Sequence, residues 1–108
     1  MNSLKFFKEH IASETENSKE YAKMALELHD VHPRIARSLK EMSEMELKNA
    51  EKLQTLMSEY HAQTAKNGNQ HYTSDDYDGV YSDALKDLTS KSGEIKTMHD
   101  VYRKGNNY

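Results

Sequence analysis

Residues 35–60, IARSLKEMSEMELKNAEKLQTLMSEY, are the stretch on which the fold turns. Their apolar side chains fall at Ile35, Leu39, Met42, Leu53, Leu56 and Tyr60. Spacings of this kind mark one face of a long helix. The middle of that face is polar and holds Glu46 and Asn49. A carboxylate and an amide on a core seam are costly unless something pairs with them. This slice of the helix is therefore the first place to look for a site.

Upstream, Asn2 or Ser3 can cap an earlier helix. Its seam reads Leu4, Phe7, Ile11, Glu14, Ser18, Tyr21, Ala25, Leu28, alternating three and four apart. Lys5, Lys8, Glu9, Glu16, Lys19, Glu20 and Lys23 fill the faces between, as solvated surface does. Again a carboxylate, Glu14, sits on the seam. Pro33 marks the restart, because its missing N–H is harmless at the first position of a helix. The spacing predicts helices over residues 3–30 and 33–66, antiparallel across a tight turn. Folding the hairpin about that turn sets Leu28 against Ile35, Ala25 against Leu39 and Tyr21 against Met42. Ser18 then meets Glu46, Glu14 meets Asn49, and Ile11, Phe7 and Leu4 meet Leu53, Leu56 and Tyr60. The polar residues fall in two adjacent layers, so Glu14, Ser18, Glu46 and Asn49 form one buried polar site with Tyr21 a layer away. Small residues Ala36, Ser43 and Ala50 recur a heptad apart beside this seam and would let a neighbouring helix come close.

Downstream, residues 67–74 are a polar connector, with Asn67-Gly68 as a left-handed stop. Ser74 can cap a third helix, with Asp75 and Asp76 against its positive end. That helix is expected over residues 75–103, with Tyr77, Tyr81, Ala84, Leu88, Ile95, Met98 and Tyr102 as its apolar positions. Lys91 interrupts that stripe, and residues 90–93, SKSG, are poor helix formers, which predicts a kink or break there. The tail after Lys104 should be loose.

Composition narrows the class. The 108 residues suit one domain, with 35% hydrophobic and 31% charged residues, one Pro and four Gly. That balance favours long helices around a narrow core. Net charge is −3, and no Lys/Arg run exceeds two residues, so nothing argues for nucleic acid. The absence of Cys excludes disulfides and thiolate metal sites. No apolar run approaches the ~18 residues of a membrane helix. The amphipathic start is unlike a signal peptide, so the cytoplasm is the expected compartment.

Carboxylates projecting inward from facing helices are how bundles hold carboxylate-bridged iron or manganese. The order Glu14, Tyr21-Ala22, Leu39-Lys40-Glu41-Met42-Ser43 and then Glu46-Leu47-Lys48-Asn49-Ala50-Glu51-Lys52-Leu53 resembles the ferritin-like family. It is closest in style to rubrerythrin-type and short half-ferritin chains, and covers about half of the chain by periodicity. The resemblance implies a helical bundle completed by dimerisation. It also implies Glu46 as a bridging carboxylate, Glu14 as the first-helix ligand with Glu16 as its rival, and Tyr21 as a buried tyrosine. The family's Glu-x-x-His pair reads Glu46-x-x-Asn49 here. An amide oxygen is a weak neutral ligand, so the set suits a weakly held Mg, Ca or Mn better than redox iron. His10, His29, His32, His61, His71 and His99 lie off both hairpin seams or near turns and ends, and offer no replacement.

Two functions follow as expectations. The first is a non-catalytic interaction or structural protein on a ferritin-like scaffold, of the kind used by phages or prophages to bind a protein partner. In it, Glu14, Glu46 and Asn49 form a satisfied or vestigial polar layer and no cofactor is needed. The second is a di-metal iron or manganese oxidoreductase, or an iron-handling protein, with its site formed across a homodimer. Met24, Leu26, Met45, Leu47 and Met57 lie off the main seams and should contact either the third helix or a second copy.

Overall fold

The computed structural model describes residues 3–67 and 74–105. The chain forms three α-helices, α1 (Ser3–Leu28), α2 (Pro33–Asn67) and α3 (Ser74–Gly105), and no strand among the described residues. Asn2, Gly68 and the 68–73 connector, and the tail from residue 106, lie outside the described residues, as do the side chains of Ser74, Asp75, Asp76 and Tyr77.

The boundary between α1 and α2 has a local cause. The α1–α2 turn is closed by the His32 amide, which donates to the Leu28 carbonyl at 2.8 Å. The His32 carbonyl then accepts from the Ala36 amide at 2.9 Å, the first bond of α2. Pro33 occupies the first helical position, where no donor is required. Helix α3 runs as one α-helix through residues 90–93. The Lys91 ammonium reaches Asp87, one turn back, at 3.4 Å, which carries its charge out of the stripe.

The register of α1 on α2 is fixed by Ser18 and Ser43. The Ser18 hydroxyl donates to the Ser43 carbonyl at 2.6 Å, and the Ser43 hydroxyl donates to the Ser18 carbonyl at 2.6 Å. Counting outward by heptads in antiparallel sense sets Ala25 level with Ala36, Ile11 level with Ala50 and Leu4 level with Met57. All eight of these side chains are buried. The expected partner of Ser18, Glu46, is not the one found. Helix α2 is turned by one position, about 100°, relative to the seam that the larger aliphatic residues suggest. Ile35, Met42 and Leu56 accordingly remain 54%, 42% and 43% exposed. Small residues occupy most of the true seam, and a hydroxyl one atom beyond Cβ reaches the opposite main chain only where two backbones run close.

Helix α3 runs parallel to α1 and covers one side of the hairpin. Leu4, Ile11, Ala50, Met57, Ala84 and Leu88 form a cluster at the open end, and Ala25, Ala36 and Tyr102 form another at the turn. Burying an aliphatic side chain such as Leu88 or Ile95 contributes about 1.5–3 kcal/mol. On α2, Leu47 turns toward α3, and Ser58 and His61 meet Tyr81, through a hydrogen bond at 2.9 Å and a stacked ring at 4.2 Å. Lys19 bridges α1 to Glu94 at 3.0 Å, and Lys96 bridges α3 to Glu51 of α2 at 3.6 Å. Near the turn, the His29 ring meets Tyr102 edge-on at 5.2 Å and Lys40 lies over the same tyrosine. No helix among the described residues is long and apolar enough to cross a membrane.

Candidate functional site

With α3 on one side, the opposite side of the hairpin is left uncovered by the described residues. Two heptad rows border it. On α1 they are Phe7, Glu14, Tyr21 and Leu28, and on α2 Leu39, Glu46, Leu53 and Tyr60; all eight are partly buried. Across the groove, the rings of Phe7 and Tyr60 stand 6.1 Å apart. This contact places the two rows on the same side, because side chains a heptad apart share a helix face. Beyond the rows, Met24, Ile35, Met42 and Leu56 form exposed apolar rims. The groove is thus apolar at both ends.

Its middle is acidic. The Ser18–Ser43 register puts Glu14 and Glu46 within one residue of the same level. Glu14 is partly buried, and its Oε2 is fully buried without a hydrogen-bond partner. Such atoms are uncommon in folded proteins, because a buried acceptor loses water without gaining a donor. Asn49 stands on the exposed rim of α2, and Glu16 is exposed on α1. Tyr21 lines the groove one layer toward the turn. So the structure keeps Glu14, Glu46 and Tyr21 on one face, moves Asn49 to its edge, and sends Ser18 into the helix–helix seam.

The residues present can be tested against a metal. Among the described residues, no group of three or more His, Cys, Asp or Glu side chains lies close enough to hold an ion. The described residues therefore supply two carboxylates on this face and no third ligand grouped with them. That set falls short of a resident di-metal centre.

A buried polar layer does exist, and it is built from other residues. His99 of α3 is buried, and its Nε2 lies 2.7 Å from the Ser43 Oγ. Since each serine hydroxyl hydrogen already has a carbonyl acceptor, donor counting makes the imidazole Nε2–H the donor to Ser43. Burial is the main reason the His99 pKa lies below its ordinary value of 6.5, with Lys40 and Arg103 acting the same way and Glu44 and Asp100 opposing. An imidazole that donates to the serine oxygen is not placed to take the hydroxyl proton, as activation of a nucleophile requires. Ser43 is also sealed between α1 and α2, with 0% exposure, so no substrate reaches it. The pair ties three helices together.

His99 also lines a groove of about 340 Å³ between α2 and α3, with Leu47 and the charged side chains of Glu44, Lys48, Glu51, Lys96, Asp100 and Arg103. Both signs are interspersed there, so the groove favours neither an anion nor a cation. The apolar stripe of α3 points to Met98 as the inward position, whereas His99 is the residue that is buried and Met98 is only partly so. The signal available was the spacing Leu88, Ile95, His99, Tyr102, which repeats at seven, four and three.

The chain matches no protein-family model, no curated protein and no solved structure.

Proposed function

We propose that the chain is a non-catalytic, ferritin-like helical scaffold that acts by docking a protein partner on the uncovered face of its α1–α2 hairpin. The observation that carries this reading is the exposure of apolar side chains on that face. Met24, Ile35, Met42 and Leu56 stand exposed around half-buried Phe7, Tyr21, Leu28, Leu39 and Leu53, all on the side away from α3. Exposed apolar side chains gathered on one face in this way mark interaction sites. A fourth helix laid there would complete a bundle by the helix-in-groove mode. A phage or prophage accessory protein that binds a host or virion protein fits the same reading.

The test is site-specific photocrosslinking in the source cell. A photoreactive residue at Met42, in the groove rim, should give discrete adducts. The same group at Thr55, exposed on the opposite flank of α2, should give none. Equal labelling at both positions would remove the case for a dedicated face.

A second reading is favoured by the orphaned Glu14 oxygen. In a face-to-face dimer the two groove acids become four, which is a donor set for iron or manganese. Metal at stoichiometric levels in purified protein, lost together with the dimer in Glu46→Ala, would establish that alternative in place of the first.

A further inference from the structure

We infer that the hairpin face takes an amphipathic helix of another protein whose apolar stripe is interrupted, near its middle, by one lysine or arginine. This rests on the docking reading above and adds the chemistry of the partner.

The groove is not uniform. Along its floor, Leu28, Leu39 and Tyr21 are apolar or amphipathic at the turn end, and Phe7, Leu53 and Tyr60 at the other. Only the central layer, Glu14 with Glu46, is acidic. From Phe7 to Leu28 the floor is about 32 Å long at ~1.5 Å per residue, so a helix of roughly 20 residues covers it. A wholly apolar helix laid along it would dehydrate two carboxylates without offering either a donor, which is costly. A cationic side chain at the central position answers that cost with charge-assisted hydrogen bonds. The Glu14 Oε2 lies buried and unpartnered in the isolated chain, so this partly exposed carboxylate gains a donor it lacks by turning toward the cation. Arginine offers a planar fork of donors to a carboxylate, whereas lysine offers a point charge.

The same layer argues against a second copy as the occupant. The apolar surface extends from the Tyr60 end to the Ile35 end, and the acids stand near its midpoint. A two-fold copy matched end to end would therefore bring two pairs of carboxylates together. Like charges set against one another disfavour such pairing unless a cation is taken up.

The experiment uses the full chain and three synthetic helices of about 20 residues, identical except for lysine, leucine or glutamate at the central position of the apolar stripe. Binding is read by fluorescence anisotropy in the presence of a chelator. The lysine peptide should bind at least about tenfold more tightly than the leucine peptide, and the glutamate peptide weakest. Glu14→Gln and Glu46→Gln together should erase the preference for lysine, with melting curves confirming that both variants fold.

Three outcomes overturn the inference. If the leucine peptide binds as tightly as the lysine peptide, the charged centre has no role while the docking reading survives. If no peptide binds, or binding persists unchanged in a Met42→Asp, Leu56→Asp double variant, the docking face itself fails. If sedimentation shows a dimer that the same double variant abolishes, a second copy is the occupant; dependence of that dimer on added manganese would identify the two-chain metal reading.

Discussion

At the scale of single residues, Ser18, Ser43 and His99 hold one level of the bundle together, one from each helix. Each serine spends its hydroxyl on the other helix's carbonyl, and His99 closes the set from α3. Because burial lowers the His99 pKa, the native state holds the imidazole neutral. Well above pH 6.5 neither state takes the proton, and this contribution to stability is complete. As pH falls below 6.5 the unfolded chain protonates first, and stability declines until the pH has passed the lowered native value. Thermal melts followed by circular dichroism should therefore show wild type losing more stability between pH 7.5 and 5.5 than His99→Gln. The glutamine amide can still donate to Ser43 but does not titrate. Equal losses in the two proteins would mean that His99 has no part in the acid response.

At the scale of helices, the contest on α2 is between a stripe of large residues and a stripe of small ones. The small stripe, Ala36, Ser43 and Ala50 continued by Met57, wins the contact with α1. Close backbones bury whole helix faces, and they need small side chains at the point of contact. Ala50→Leu should accordingly overpack the seam and cost about 1–3 kcal/mol. Ile35→Ala, on the exposed stripe, should fall within about 0.5 kcal/mol of wild type. Chemical denaturation of the two variants ranks them, and the opposite order would restore the register read from the larger residues. In α3 the residues that look like breakers lie inside a continuous helix. A Cβ added at Gly93 meets nothing within 4 Å. Gly93→Ala should therefore stabilise the protein by roughly 0.5–1 kcal/mol, through helix propensity alone. An unchanged or lowered melting temperature would show that the glycine is needed for the path of α3. Gly105 differs, because its added Cβ would lie 3.2 Å from the His29 ring.

At the scale of the molecule, helix length sets the shape. The 35 residues of α2 span about 52 Å, close to the 56 Å long axis, and the radius of gyration is 16.9 Å. A spherical chain of this size would have about 13 Å. Small-angle scattering of the isolated chain should return the rod. A docked helix, being shorter than the rod, should thicken its cross-section from the 20 × 16 Å of the free chain while leaving its length unchanged. An increase in length on complex formation would place the partner at an end of the bundle instead of along the hairpin face. The bundle is asymmetric about its hairpin. Helix α3 covers the side bearing Leu47 and Ser58, and the side bearing Leu39 and Leu53 stays partly open.

The amino-acid sequence by itself determined the helical class, the turn before Pro33, and the sharing of a face by Glu14, Tyr21, Glu46 and Leu53. Periodicity is a property of one helix, and it reports which residues point the same way. Only the tertiary structure decided which way that face points. The rotation of α2 about its axis depends on burying three helices at once, and arrival of α3 on one side turns the small residues into the seam and the larger ones outward. The same packing brought His99 inside, where no pattern confined to α1 and α2 could place it. It also gave Ser18 the partner Ser43 in place of Glu46, because a shift of three residues between antiparallel helices changes every facing pair.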